Sequence, residues 1–113
     1  MHDAGRLNER FAFDSRGPAS GPDDGTTQGD FVERFDLAAE RLFLRGGEAV
    51  MAGRLQGKQP IIIRVRASSL SRQINTEWQA RDKRSGEPYA IHGVTITPDR
   101  DWIEILAESG APS

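Results

Sequence analysis

Two histidines, three aspartates in a glycine-rich stretch, three closely spaced serines and a set of aromatics mixed with arginines are the groups of this 113-residue chain that could do chemistry. A metal site needs donors at short, regular spacing, and His2 and His92 do not supply it. Asp23, Asp24 and Asp30 carry enough carboxylate to attract calcium, but they do not follow the alternating ligand pattern of an EF-hand loop. Acidic residues among glycines and prolines more commonly shape turns. Ser68, Ser69 and Ser71 lack the glycine-flanked elbow that exposes a nucleophilic serine. No glycine pattern matches a phosphate-binding loop, and the absence of cysteine removes disulfides, thiolate zinc sites and cysteine nucleophiles. These residues lead to the expectation of no enzyme, no cofactor and no metal.

The aromatic set admits two readings. Phe11, Phe13, Trp78 and Trp102, interspersed with Arg10, Arg64, Arg66 and Arg81, resemble the stacking platform and basic groove of a small barrel that binds single-stranded nucleic acid. Alternation argues for packing instead, because Phe11 and Phe13 share one parity and Trp78 shares that of Ile74. Arg64 and Arg66 then face solvent, where they can meet a partner or DNA without stacking on bases.

The elements that must position these groups are mostly strands. Leu7, Glu9, Phe11 and Phe13 alternate against Asn8, Arg10, Ala12 and Asp14, which predicts a strand ending near Arg16. Residues 17–30 (GPASGPDDGTTQGD) predict a long mobile loop. A second strand is expected where apolar density returns between Phe31 and Phe43. Gly46 and Gly47 break it, and residues 48–56 read as a short helix with Met51 and Leu55 at i, i+4 spacing. Pro60 opens a strand whose Ile61, Ile63 and Val65 share a face. A further strand is predicted on the alternation of Ile74, Thr76, Trp78 and Ala80. After a polar turn the parity changes between Tyr89 and Ile91 on one side and Val94 and Ile96 on the other, which places a bulge at Gly93. A last strand follows from Trp102, and residues 109–113 predict a disordered tail. The expected core is Phe11, Phe13, Ile61, Ile63, Val65, Ile74, Trp78, Tyr89, Ile91, Val94, Ile96, Ile103 and Ile105.

The fold class expected is therefore all-β: a small antiparallel barrel or sandwich of about six strands in a single domain, with one short helix and long loops. Composition is that of an ordinary soluble domain, with 36% hydrophobic and 28% charged residues. A chain this short is marginal alone, which makes permanent partners physically sensible. No apolar run reaches the length of a membrane span, and the start MHDAGRLNER has no apolar signal core, so manufacture in the cytoplasm and no membrane are expected. The formal charge of −2 hides an uneven distribution. Residues 1–40 hold 4 basic and 9 acidic side chains, 41–84 hold 10 and 3, and 85–113 hold 1 and 5. The basic middle offers a face for DNA or an acidic neighbour, unless antiparallel pairing interleaves the segments and cancels the field.

Beyond these patterns, the order of signatures resembles the head-tail joining proteins of tailed bacteriophages, the head-completion or stopper family, including their gene-transfer-agent equivalents. The resemblance rests on Gly5, Arg6 and Leu7; Phe31 and Phe35; Gly46, Gly47 and Glu48; Arg64 and Arg66; Gly86, Tyr89, Ile91 and Val94; and the apolar stretch from Ile103 to Leu106. It spans about residues 5–108 and departs in the second strand, where Phe31 and Ala38 stand at positions usual for tryptophan. It implies a virion protein assembled in the bacterial cytoplasm as a ring, a dodecamer in the family, beneath portal and adaptor. Such a ring retains packaged double-stranded DNA without sequence specificity and docks tail proteins. A tail terminator or adaptor of the same machinery, or a small nucleic-acid-binding barrel, is the alternative. Arg45, Glu48, Arg54, Lys58, Arg64 and Arg66 are the expected subunit or lumen contacts, with Asp23, Asp24 and Asp30 in a loop that orders against neighbours.

Overall fold

The computed structural model of the chain describes residues 7–17, 30–43 and 59–109. Alternating apolar residues form six strands: β1 (Glu9–Arg16), β2 (Phe31–Phe43), β3 (Gln59–Arg66), β4 (Gln79–Asp82), β5 (Pro88–Ile96) and β6 (Trp102–Ser109). All neighbours pair antiparallel, in the order β1-β2-β3-β6-β5-β4, and β4 pairs back to β1 to close a barrel. Closure gives every strand two neighbours, but β2 pairs with β3 only over Glu40–Phe43, so Phe31–Ala39 is paired on its β1 side alone.

The interior is filled by the predicted parities. Phe11, Phe13, Ile61, Ile63, Val65, Ile74, Tyr89, Ile91, Ile103 and Ile105 are buried, with Ala39, Ala80 and Ala107 fitting between the larger side chains. Trp78 and Val94 pack against this core while only partly buried. Ile96 corrects the expectation: it is 44% exposed, because it ends β5 beside the turn that follows and extends past the last packed layer.

Two pairings slip by a residue. Phe13 faces Phe35 but Asp14 faces Glu33, so Arg34 is the extra residue of β2. On β5 Ile91 pairs with Ala107 and Gly93 with Leu106, leaving His92 as the extra residue. The change of parity read at Gly93 is thus a bulge that turns Val94 back inward.

The segment before β4 differs from the strand expected there. A 3-10 turn covers Ser71–Gln73, and the ladder begins only at Gln79. Local hydrogen bonds outcompete the sheet. Ser71 Oγ donates to the Arg66 carbonyl at 2.7 Å and accepts from the Ser68 amide at 2.8 Å, and the Asn75 side chain accepts from the Glu77 amide at 2.8 Å. Ile74 still reaches the core from this irregular path. Among the described residues helical geometry is confined to that turn; the helix expected over 48–56 and most of the expected tail lie outside them.

Candidate functional site

Antiparallel order sorts the connections to two mouths. At one, the N-terminal approach to Glu9, both ends of the 44–58 connection, the turn before Pro88 and the end of β6 come together. At the other lie the ends of the 17–30 connection, the Ser71–Gln73 turn and the turn between β5 and β6. The two long segments singled out in the sequence therefore attach to opposite ends of the barrel.

The first mouth carries a polar plug. Arg41 pairs with Ile63 and so shares the interior face of β2. Its guanidinium donates to Asp82 Oδ2 at 2.5 Å and to the Tyr89 hydroxyl at 2.9 Å, and it stands 3.7 Å from Glu9. It also lies over the Phe11 ring at 5.2 Å and near the Tyr89 ring at 5.8 Å. Burial works against the Arg41 charge, but Tyr89 and Asp82 outweigh it and hold its pKa above the ordinary value. Burial likewise opposes the Asp82 carboxylate. The Arg84 amide, at 2.8 Å, and Arg41 more than offset that cost, leaving Asp82 below its usual range. Arg41, on the apolar parity of β2, is the signal that sequence reasoning missed; its partners come from three other strands and had none.

Outside the barrel, ion pairs link neighbouring strands, and those of Arg81 and Lys83 join the basic middle of the sequence to its acidic first segment. Arg10 meets Asp36 at 2.7 Å; Arg81 meets Asp14 at 3.2 Å and Glu33 at 2.8 Å; Lys83 meets Glu33 at 3.4 Å. The hydrogen bonds Arg81 donates to Asp14 and Glu33, which burial only partly opposes, raise its pKa above the ordinary value. Ala12 is fully buried although it has outward parity, and so is nearly all of Asp14. Interleaving of basic and acidic segments is therefore a feature of this wall.

Of the expected contacts, Arg64 and Arg66 are described. Both point outward, as read, but neither stands alone. Arg64 bonds Glu104 and lies 3.5 Å from Glu40, and the Arg66 guanidinium stacks 4.8 Å over Trp102. Asp30 is exposed and its carbonyl accepts from the Gly17 amide at 3.0 Å, closing the base of the loop. Arg45, Glu48, Arg54, Lys58, Asp23 and Asp24 lie outside the described residues. The stacking platform does not form: Phe11 and Phe13 are inside, Phe35 stands 5.6 Å from Trp78, and Arg66 covers Trp102. Ser71 is buried and its hydroxyl is engaged within its own turn.

The described residues thus form a closed barrel with a polar cluster at one mouth and ion pairs along one outer wall. The chain belongs to the phage head completion protein family, whose description matches residues 2–110, and is a structural virion component of that kind. No curated protein matches it. A Shigella flexneri 2a protein known from its solution structure is 20% identical, with 99% of this chain and 100% of that chain covered and a TM-score of 0.65. A chain from the virion of a native gene transfer agent particle is 17% identical, with 94% and 96% covered and the same TM-score of 0.65. These two likenesses show the fold.

Proposed function

We propose that the chain forms a ring at the head-tail connector, below portal and adaptor, where it retains packaged DNA and docks the tail. The observation that carries this reading is the family match across nearly the whole chain. The barrel supports it physically. With its six strands closed into a barrel, the module presents its outer walls sideways and its connections at two opposite mouths, a suitable design for a spacer stacked between two assemblies. The ring has the twelve subunits the resemblance implies, assembles in the bacterial cytoplasm and stays in the particle. Residues 45–58, with Arg45, Arg54 and Lys58 against Glu48, meet the lumen or the next subunit, where clustered cations face phosphates without sequence preference.

Particles made without the chain test the reading. Full capsids that leak DNA and carry no tails are expected; intact tailed particles would overturn it. Reversing Arg54 and Lys58 to glutamate tests the segment: the expected product is a folded monomer that fails to join rings or retain DNA, and normal particle yield would remove the segment's role.

A further inference from the structure

The six strands do not pair along their whole length. β2 meets β3 only over Glu40–Phe43 and β4 meets β5 only over Pro88–Ala90, both near the first mouth. Toward the second mouth, Phe31–Ala39 of β2 and Ile91–Ile96 of β5 are each paired on one side alone among the described residues. None of Phe31–Ala38 is buried, nor any of His92–Ile96. In the closed order β2 and β5 stand three strands apart in either direction, so the two open edges lie on opposite sides of the barrel.

Alternation fixes the backbone groups these edges present. The Gly17 amide donates to the Asp30 carbonyl at 3.0 Å, between β1 and β2. Val32 therefore also bonds toward β1, and Phe31 and Glu33 turn their N–H and C=O to the open side. The Thr97 amide donates to the Trp102 carbonyl at 2.9 Å. Thr95 therefore bonds toward β6, and Val94 and Ile96 turn theirs to the open side. Val32 and Ile96, both large and apolar, are each 44% exposed at these edges.

An unpaired edge is a template for another strand, and a closed ring requires two different, complementary surfaces on opposite sides of each subunit. Resting on the ring reading above, we infer that the open edge of β2 in one copy of this chain takes the open edge of β5 in the next. The occupant is a second copy because one chain carries both edges, at the same mouth, on opposite flanks and with opposite strand directions. β2 runs away from the second mouth and β5 runs toward it. Copies standing side by side in one orientation thus pair these strands antiparallel, the sense of every ladder within the barrel. Matching the groups that point out of each edge sets Phe31 opposite Ile96 of the next copy and Glu33 opposite its Val94. Val32 and Thr95 form the non-hydrogen-bonded pair between them. Phe31 with Ile96 and Val32 with Thr95 are aromatic and β-branched pairings of the kind that stabilise a sheet, and both exposed apolar side chains gain cover.

The chain has no cysteine, so introduced thiols report on this contact alone. Val32→Cys and Thr95→Cys chains, each confirmed to unfold as a cooperative unit, are mixed, assembled into particles and oxidised. A non-hydrogen-bonded pair brings its Cα atoms to about 4.5 Å, within disulfide reach. The mixture should therefore give a dimer of the two variants, and a chain carrying both substitutions a ladder of higher species, while neither single variant crosslinks by itself. Glu33→Cys mixed with Thr95→Cys, one residue out of phase and on the other face, should stay monomeric. Hydrogen exchange reads the same contact in the wild-type chain, and decides it if a variant fails to fold. The amides of Phe31, Glu33, Val94 and Ile96 should exchange about tenfold or more slowly in particles than in the isolated chain. Folded variants that give no mixed dimer would overturn the inference, as would unprotected amides. Dimers from Val32→Cys alone would mean a two-fold contact between β2 edges and overturn it too. A wild-type chain absent from particles would instead overturn the ring reading itself.

Discussion

Arg41 is the residue on which the barrel's first mouth depends. It brings a charge into the interior layer, where its cost is met by Asp82, Tyr89 and Glu9 together. Removing one partner strands the others, so Arg41→Met should lower stability less than Asp82→Ala does; urea midpoints of the two variants check the order. Acid gives a second test. The Asp82 pKa is lower folded than unfolded, so the stabilisation it contributes is present above the ordinary carboxylate pKa and is lost as pH falls through the folded value. Urea titrations between about pH 5 and pH 2 should show a shallower acid limb in Asp82→Asn than in the parent. An unchanged limb would mean that other carboxylates carry it. Deeper in the core, Phe13 is fully buried and packs 6.0 Å from Phe35. Phe13→Ala should cost about 3–5 kcal/mol of unfolding free energy.

At the scale of elements, two glycines, one before β5 and one within it, do different work. Gly86 sits at φ 81° in the turn that enters the strand, a conformation that a Cβ resists. Gly93 follows the bulge, and a Cβ there meets only Leu106 at an ordinary 4.0 Å. Gly86→Ala should therefore destabilise by about 1 kcal/mol, whereas Gly93→Ala should be neutral or gain a few tenths. Thermal melts of the pair decide it; equal losses would show that the bulge itself requires glycine. The strand ladder was legible where alternation ran uninterrupted, as in β1 and β3. It was misread over Ile74 to Trp78, because side chains of Ser71 and Asn75 form local hydrogen bonds that parity does not register.

For the whole molecule, the net charges of the three sequence segments meet across strands instead of forming one basic face. Each partly exposed pair contributes little, so raising salt from about 0.05 M to 0.5 M should shift the stability of the isolated chain by less than about 1–2 kcal/mol. A loss of several kcal/mol on the same urea titrations would mean the network holds the barrel closed. Closure also sets the geometry for assembly. The ends of the 17–30 and 44–58 connections lie at opposite mouths, and the outward row of Leu42, Ile62 and Leu106 lies across the barrel from the ion-paired wall of β1 and β4.

The sequence by itself determined which residues face inward on most strands, the position of the bulge and, through the order of its signatures, the family. These are properties of a few neighbouring residues, and a period of two carries them directly. Only the tertiary structure decided that Arg41 enters the interior, that Ile96 reaches past the packed layer, that Arg64 is pinned between two glutamates and that Leu42, Ile62 and Leu106 form one line. Each depends on which strands become neighbours and in what register. That choice is made when the barrel closes, by residues too far apart in sequence for any local pattern to record it.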